Sequence, residues 1–268
     1  KKGFSTMNDS IVKTLGVAFA ICLVCSLVVS STAVSLRDMQ NENKANDKRT
    51  KILQAAGIFN PNDDIKEQFD KLEAKYINFN TGKLLKGTEL NDFLEEHKDD
   101  YDQIAATRKP EYSTSLDASQ DIAIIKNREN VGKFFVLRDE NNFIDKVILP
   151  VRGYGLWGTL FGYISIENDF NTVAGLEFYD HKETPGLGAE VDNPKWKALW
   201  PGKQLYKNDI VSLEVIKGKV PSDDQNLEYK VDGLSGATLT SRGVTNMLKY
   251  WFSDSGYANL FSELEYES

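Results

Sequence analysis

The chain has 268 residues, is 41% hydrophobic and 27% charged, and carries a formal net charge of −8; that is room for a membrane anchor plus one or two folded domains. The tail through Lys13 holds three lysines against Asp9, and residues 14–36 hold no charge, which leaves −10 on residues 37–268. A body that acidic speaks against nucleic-acid binding, because phosphate contacts need clustered Lys and Arg.

Residues 1–13 read as an N-terminal tail. Residues 14–36 form an uncharged run of 23 residues rich in Leu, Val, Ala and Ile. As a helix the run is about 34 Å long, enough for a bilayer core of about 30 Å. The rival reading is a cleaved signal peptide, with Lys13 before the apolar stretch and Ser31-Thr32-Ala33 resembling a small-residue cleavage site. The run exceeds the usual apolar length of about 7–15 residues in signal peptides, so a retained transmembrane helix in the lipid bilayer is expected. Both cysteines, Cys22 and Cys25, lie inside it, where C-x-x-C in a lipid-facing helix reads as two small apolar side chains. Beyond residue 36 there is no thiol, which excludes disulfides and cysteine-ligated zinc or iron–sulfur clusters from the soluble part. The two histidines, His97 and His181, are far apart in sequence, so no metal site is expected and any redox centre there must be organic. Arg37, Lys44, Lys48, Arg49 and Lys51 outnumber the basic residues before the span. Counted alone they put the large domain inside, although large domains translocate despite such charges.

Residues 37–120 read as a helical connecting region. Residues 38–53 lack Gly and Pro and continue as a polar helix until Gly57 and Asn60-Pro61 break it. Ile65, Phe69, Leu72 and Tyr76 fall at helical spacing and predict a second helix over residues 63–76. Leu90, Phe93 and Leu94 predict a third, ending in the acidic tract 95–102, where His97 reads as an exposed residue without a role. Residues 103–120 read as a loop around Lys109-Pro110. From Ile122 the character changes. Residues 122–126, 133–138 and 143–151 are short β-branched, apolar runs separated by Asn-rich turns, Asn141-Asn142 among them, and predict antiparallel strands. Residues 160–166 and 172–179 continue the pattern after a glycine-rich loop at 153–158. Pro194, Trp196, Trp200 and Pro201 mark a short helix closed by turns, and residues 211–216 and 227–231 predict the last strands. The expected fold class is α+β: a single N-terminal transmembrane helix, then a soluble domain with a mostly antiparallel sheet and flanking helices, its core in residues 121–268.

Two stretches carry chemistry. Asp232-Gly233-Leu234-Ser235-Gly236-Ala237-Thr238-Leu239-Thr240-Ser241 sets four hydroxyls and two glycines between a predicted strand and an amphipathic helix with Val244, Leu248, Trp251 and Phe252 on one face. There, free N–H groups and the helix dipole favour a phosphate. On local pattern alone the same residues are ordinary capping and turn residues. A hydrolase nucleophile elbow fits poorly: the fifth position of G-x-S-x-G is Ala237, and no histidine follows the serine as that fold's chain order requires. The second stretch is His181-Lys182-Glu183-Thr184-Pro185-Gly186-Leu187-Gly188. Pro185-Gly186 sets a turn and Gly188 permits close approach to a flat ligand, although composition alone also fits a plain loop between strand and helix.

D-G-x-S-G-A-T resembles the flavinylation motif of FMN-binding domains in membrane electron-transfer complexes, and E-T-P-G-L-G resembles a signature of the same domains. The tract Leu149-Pro150-Val151-Arg152-Gly153-Tyr154-Gly155-Leu156-Trp157-Gly158 is similar to the C-subunit family of Na+-translocating NADH:quinone oxidoreductases. So are Ser35-Leu36-Arg37-Asp38-Met39-Gln40 and Lys51-Ile52-Leu53-Gln54-Ala55-Ala56-Gly57. The likeness covers nearly the whole chain and is weakest over residues 58–120. It implies an FMN-binding domain over residues 121–268, with FMN joined covalently through its phosphate to Thr238 by a flavin transferase. Asp232, Gly233, Ser235, Gly236 and Ala237 would form the signal read by that enzyme and part of the phosphate site; Thr240 and Ser241 are expected to hydrogen-bond the phosphate or cap the helix. The resemblance sets Glu183, Thr184, Leu187 and Gly188 against the isoalloxazine ring, with Trp157 either stacking on flavin or plugging the core. Lys182 is a candidate for stabilising reduced flavin, while Glu183 and His181 read as positioning residues before catalytic ones.

The same resemblance implies other subunits of a membrane complex as partners, and electron relay between an iron–sulfur centre and a second membrane-bound FMN on the way to quinone. It also implies Na+ export and a bacterial inner membrane with the large domain periplasmic. The G subunit of an Rnf-type ferredoxin:NAD+ oxidoreductase shares the anchor and motif and stands as the alternative. In a different class, the chain would be a non-redox periplasmic binding or scaffold module. Gly153-Tyr154-Gly155-Leu156-Trp157-Gly158 spells G-x-G-x-x-G after a predicted strand but leads into another strand, residues 160–166, and not into the helix that a dinucleotide fingerprint opens, so this chain is not expected to bind NADH itself.

Overall fold

The computed structural model describes residues 11–98 and 101–265; the tail expected over residues 1–13 lies largely outside them. The chain divides after Asp47 into two units. Helix α1 runs Ile11–Ala55. By length and composition it can cross a membrane, and Leu15, Phe19, Leu23 and Leu27 are exposed along it.

The second unit, from Lys48 onward, begins with α2 (Ile65–Phe69), β1 (Leu72–Asn78), β2 (Lys83–Leu84), α3 (Gly87–His97), α4 (Gln103–Ala106), β3 (Ser113–Ser115) and β4 (Asn127–Glu129). The long strands follow: β5 (Val131–Arg138), β6 (Ile144–Tyr154), β7 (Thr159–Glu167) and β8 (Val173–Asp180). Then come α5 (Pro194–Lys197), the hairpin β9 (Tyr206–Lys207) and β10 (Ile210–Val211), β11 (Glu214–Val215), β12 (Lys230–Val231), α6 (Thr238–Trp251) and α7 (Ala258–Glu265). The main sheet has the order β2-β1-β5-β6-β7-β8 with every neighbouring pair antiparallel. Strand alternation sorts its side chains. Phe134, Val136, Val147, Leu149, Ile164 and Ile166 enter the main core with α6 and α7. Phe135, Ile148 and Tyr163 point the other way and pack with Ile52, Leu53 and Ala55 of α1. On β8, Glu177 binds Lys51 at 3.4 Å and Lys197 of α5 at 2.7 Å.

The sheet corrects several sequence expectations. Leu72 and Tyr76 belong to β1, not to a helix over residues 63–76. Their spacing of four fits either period, and seven register pairs with β5 settle the choice. The stretch expected as a helical connecting region thus supplies two strands of the main sheet, and its residues 103–120 hold α4 and β3 as well as loop. Residues 122–126 are a turn rather than a strand: Asp121 accepts from the N–H groups of Ile125 and Lys126 at 2.8 and 2.7 Å, and Ile124 and Lys126 take φ of 54° and 66°. Residues 227–229 form a 3-10 turn whose Leu227 and Glu228 carbonyls accept from Lys203 Nζ and the Gln204 N–H, leaving only β12 as strand. Residues 211–216 hold two short strands instead of one. His97 is half-buried, its ring 4.6 to 5.1 Å from those of Phe93, Tyr101 and Tyr112.

Helix α6 is seated on the end of β6. Its inner face buries Val244, Leu248 and Trp251 completely, each worth about 1.5–3 kcal/mol of transfer free energy. Trp251 Nε1 donates to the Arg152 carbonyl at 2.7 Å. A Cβ at Gly243 would overlap the Tyr154 carbonyl oxygen, so glycine is what lets α6 lie directly on the backbone that starts the 155–158 loop. Below it, the Arg152 guanidinium makes a two-pronged pair with Glu129, at 2.9 and 2.5 Å, and lies 5.0 Å from the Trp251 ring centre. Burial alone would lower the Arg152 pKa; the adjacent Glu129 carboxylate holds it above its ordinary value.

Candidate functional site

The three sequence tracts meet at the N-terminus of α6. Glu183 joins them. Its side chain is 6% exposed. Oε1 accepts from the Leu156 and Trp157 N–H groups at 3.0 and 2.9 Å, and Oε2 accepts from the Thr240 hydroxyl at 2.5 Å. One carboxylate therefore ties the 155–158 loop and the 183–188 loop to the first turn of α6. Gly188 packs against Glu183 and Thr240, while Thr184 is exposed and its carbonyl closes the turn by accepting from Leu187 and Ala189 N–H at 3.1 Å each. His181 Nδ1 accepts from the Glu183 N–H at 3.3 Å, so the Nε2 that faces Asp192 at 2.8 Å carries the proton of the neutral ring.

The motif hydroxyls separate into two kinds. Thr240 is fully buried and its proton is committed to Glu183; Ser241 is buried, donates to the Ala237 carbonyl at 3.1 Å and accepts from the Leu234 N–H at 3.0 Å. A phosphate only accepts hydrogen bonds, so neither hydroxyl has a proton free for it, and Ser241 braces the turn instead of capping α6. Ser235 and Thr238 are exposed. Thr238 is the first residue of α6, and the cap position before it is Ala237, whose side chain accepts nothing. The first-turn N–H groups thus lack a side-chain cap, which is the condition for an anion there. Gly236 turns the chain with φ of 71°, close against Leu187. Trp157 is 63% exposed and plugs no core; Leu187, Leu239, Leu156 and Tyr154 are exposed apolar neighbours in the same segments.

Thr238, Ser235, Gly236 and Asp232 line a hollow of about 630 Å³, within the roughly 300–1,000 Å³ typical of small-molecule sites. Trp196 forms part of its wall and donates from Nε1 to the Asp232 carbonyl at 2.8 Å. A second hollow of about 410 Å³ also borders Thr238 and Ser241. Lys195, Lys217 and Lys219 line the first, and Lys217, Arg242 and Lys249 the second. None of these five cations has an ion-pair partner among the described residues. Sequence reasoning missed them, because they come from α5, a loop and the outer face of α6, and no local pattern links those. An exposed hydroxyl on an uncapped helix start, beside cations and exposed apolar side chains, suits a ligand with a phosphate and a flat apolar ring. The residues present fit FMN.

Fold and site together define an FMN-binding domain, and the model of the FMN-binding domain family matches residues 155–253. The C-subunit of the Na+-translocating NADH-quinone reductase of Pseudomonas aeruginosa is 42% identical over 263 residues, covering 96% of this chain and 97% of that protein. Its counterpart in Vibrio vulnificus is 41% identical over 259 residues, with 96% of each chain covered. Among solved structures, NqrC of Shewanella oneidensis superposes with a TM-score of 0.73 at 33% identity over 84% of this chain and 99% of its own. The C-subunit of the Na+-translocating reductase from Parabacteroides distasonis gives 0.62 at 30% identity over 85% and 97%. The chain belongs to the C-subunit family of the Na+-translocating NADH-quinone reductases, and is thus one part of an oxidoreductase complex.

Proposed function

We propose that the chain carries FMN as a phosphoester on Thr238 and serves as an electron-relay subunit of a Na+-pumping NADH:quinone oxidoreductase. The observation that carries the reading is the sorting of the motif hydroxyls: Thr240 and Ser241 are buried and committed, whereas Thr238 is exposed at an uncapped helix start on the hollow. When bound, FMN supplies electron transfer; the protein's share is to hold and orient it. Thr238 offers the hydroxyl for attachment by a flavin transferase, for which Ser235, Gly236 and Ala237 keep the approach small. Leu187 and Trp157 present apolar surface to the ring, and Glu183 fixes the loops that bear them. The names of the relatives favour the Na+-translocating reductase over an Rnf-type G subunit.

Mass spectrometry of the full-length chain co-expressed with a flavin transferase tests the attachment. The wild type should gain the mass of one FMN less water, and Thr238→Ala should not; an unmodified wild type refutes the reading. In the assembled complex, Thr238→Ala should abolish NADH-driven quinone reduction, and undiminished turnover would rule out a relay through this residue between an iron–sulfur centre and a second membrane-bound FMN. The large domain is assigned to the periplasmic side. Protease added to spheroplasts should digest it, and full protection would reverse the assignment.

A further inference from the structure

Lys217 and Lys219 sit on a loop whose backbone is stitched to the start of the motif. The Ile216 N–H donates to the Val231 carbonyl at 3.0 Å, the Gly233 N–H to the Gly218 carbonyl at 2.7 Å, and the Val220 N–H to Asp232 Oδ1 at 2.8 Å. A Cβ at Gly233 would overlap the Ile216 carbonyl oxygen, so the two segments lie in backbone contact. The Asp232 oxygen that lies nearest the loop therefore serves its backbone. Neither ammonium group is paired among the described residues, and Lys217 borders both hollows that meet at Thr238. Two such cations, held by three hydrogen bonds beside an exposed hydroxyl, form a built environment for an anion in a protein of net charge −8.

We propose that this loop is an anion clamp for the phosphate of the flavin at Thr238, with Lys217 and Lys219 as its donors and Asp232 as the positioning residue that holds it. The proposal rests on the FMN reading above and adds to it which side chains neutralise the phosphate. A lysine ammonium has three donors and no acceptor, and the phosphate oxygens only accept, so the match is one of both charge and hydrogen bonding. The open first turn of α6 supplies further N–H groups to the same anion. Asp232 is then required for where it places Val220, not for its own charge.

The test uses the full-length chain in detergent, produced without flavin transferase so that the Thr238 hydroxyl is free. It is titrated with FMN and with riboflavin, which lacks the phosphate, and read by quenching of flavin fluorescence. FMN should bind about 10-fold more tightly than riboflavin, equivalent to about 1.4 kcal/mol. Lys217→Gln/Lys219→Gln should lose that preference at unchanged riboflavin affinity, while Lys217→Arg/Lys219→Arg and the charge control Lys66→Gln/Lys71→Gln should keep it. Asp232→Ala should lose the preference with both lysines present, and Asp232→Asn, which retains the Oδ1 acceptor, should keep it. No preference in the wild type, or a full preference in the Gln variant, overturns the clamp; a full preference in Asp232→Ala overturns the role of Asp232. Failure of the FMN reading shows separately, as a wild type that gains no FMN mass on co-expression with the transferase.

Discussion

Replacing Glu183 is the most direct probe of how the site is assembled. Its carboxylate receives three hydrogen bonds, from two backbone N–H groups and one hydroxyl, at 2.5 to 3.0 Å in a nearly dry position. Glu183→Ala leaves all three donors without a partner. A buried unsatisfied group costs about 1–3 kcal/mol, and because the two N–H bonds are only part-buried their cost falls at the low end, so a loss of about 3–6 kcal/mol is expected. That is a large share of the roughly 5–15 kcal/mol by which domains are stable. Glu183→Gln keeps an oxygen for the Leu156 and Trp157 N–H groups and turns an amide toward Thr240, whose hydroxyl can accept in place of donating. It should cost only about 1–2 kcal/mol, for the lost charge assistance. Urea unfolding of the detergent-solubilised chain, followed by circular dichroism, measures the series. Acrylamide quenching restricted to Trp157, with the other tryptophans unchanged in exposure, reports whether the 155–158 loop has come loose. An Ala variant within about 0.5 kcal/mol of wild type would mean that the clamp contributes nothing beyond what surface substitutions do, and would refute the reasoning.

Three further outcomes follow from the fold. Removing one partner of the buried Arg152–Glu129 pair, as in Arg152→Met, should cost about 3–5 kcal/mol because a charge is stranded; thermal melts should show Arg152→Met/Glu129→Leu recovering much of it, and a double variant no better than the single would argue against stranding. Gly243→Ala should lower the melting temperature, since its Cβ overlaps the Tyr154 carbonyl oxygen and such overpacking costs about 1–3 kcal/mol; a melt equal to wild type would contradict the tight seat of α6. Burial pushes the Tyr250 phenol up to about 12 and that of Tyr257 well above the ordinary value. A phenol kept neutral in the fold but ionising near pH 10 when unfolded gives full stability below about pH 10, and loses about 1.4 kcal/mol per group for each pH unit above it. Denaturant midpoints should therefore fall steeply above about pH 10, with the tyrosinate absorbance that Tyr250→Phe/Tyr257→Phe removes rising only as the fold is lost; that part of the signal appearing in a still-folded chain would refute this.

What the sequence disclosed depended on how far apart the interacting residues are. The strands β6, β7 and β8 were legible because β-branched runs alternate with Asn-rich turns, and α6 because its apolar face repeats within its own length. Leu72 and Tyr76 were misread because a spacing of four satisfies both periods, and only the pairing of β1 with β5 decides between them. Residues 122–126 look like a strand until the Asp121 carboxylate is seen to hold their N–H groups in a turn. Thr238 and Glu183 stood out by motif. The partners of Glu183 did not, since Leu156 lies 27 residues before it and Thr240 lies 57 residues after. Nor did Lys217 and Lys219, whose meaning comes from a loop pinned to Asp232 and Gly233 by bonds that no periodicity encodes.

The one parallel pair among the described residues, β11 against β12, bears on how this protein can vary. Glu214 pairs with Lys230 and Val215 with Val231, so the chain leaves and returns at the same edge and points the same way both times. Parallel neighbours need a connection of about a dozen residues or more, and here residues 216–229 supply it without an α-helix of their own. Both ends of that excursion are anchored, one by the bonds to Val231 and Gly233 and the other by β12 itself. Its middle, around Pro221 to Asp223, is exposed. Lengthening a loop there is cheap, about 0.6 kcal/mol for each doubling. Insertions at that point should thus leave the register of the flavin motif where it is, and a graft or affinity tag can be placed there without disturbing Thr238.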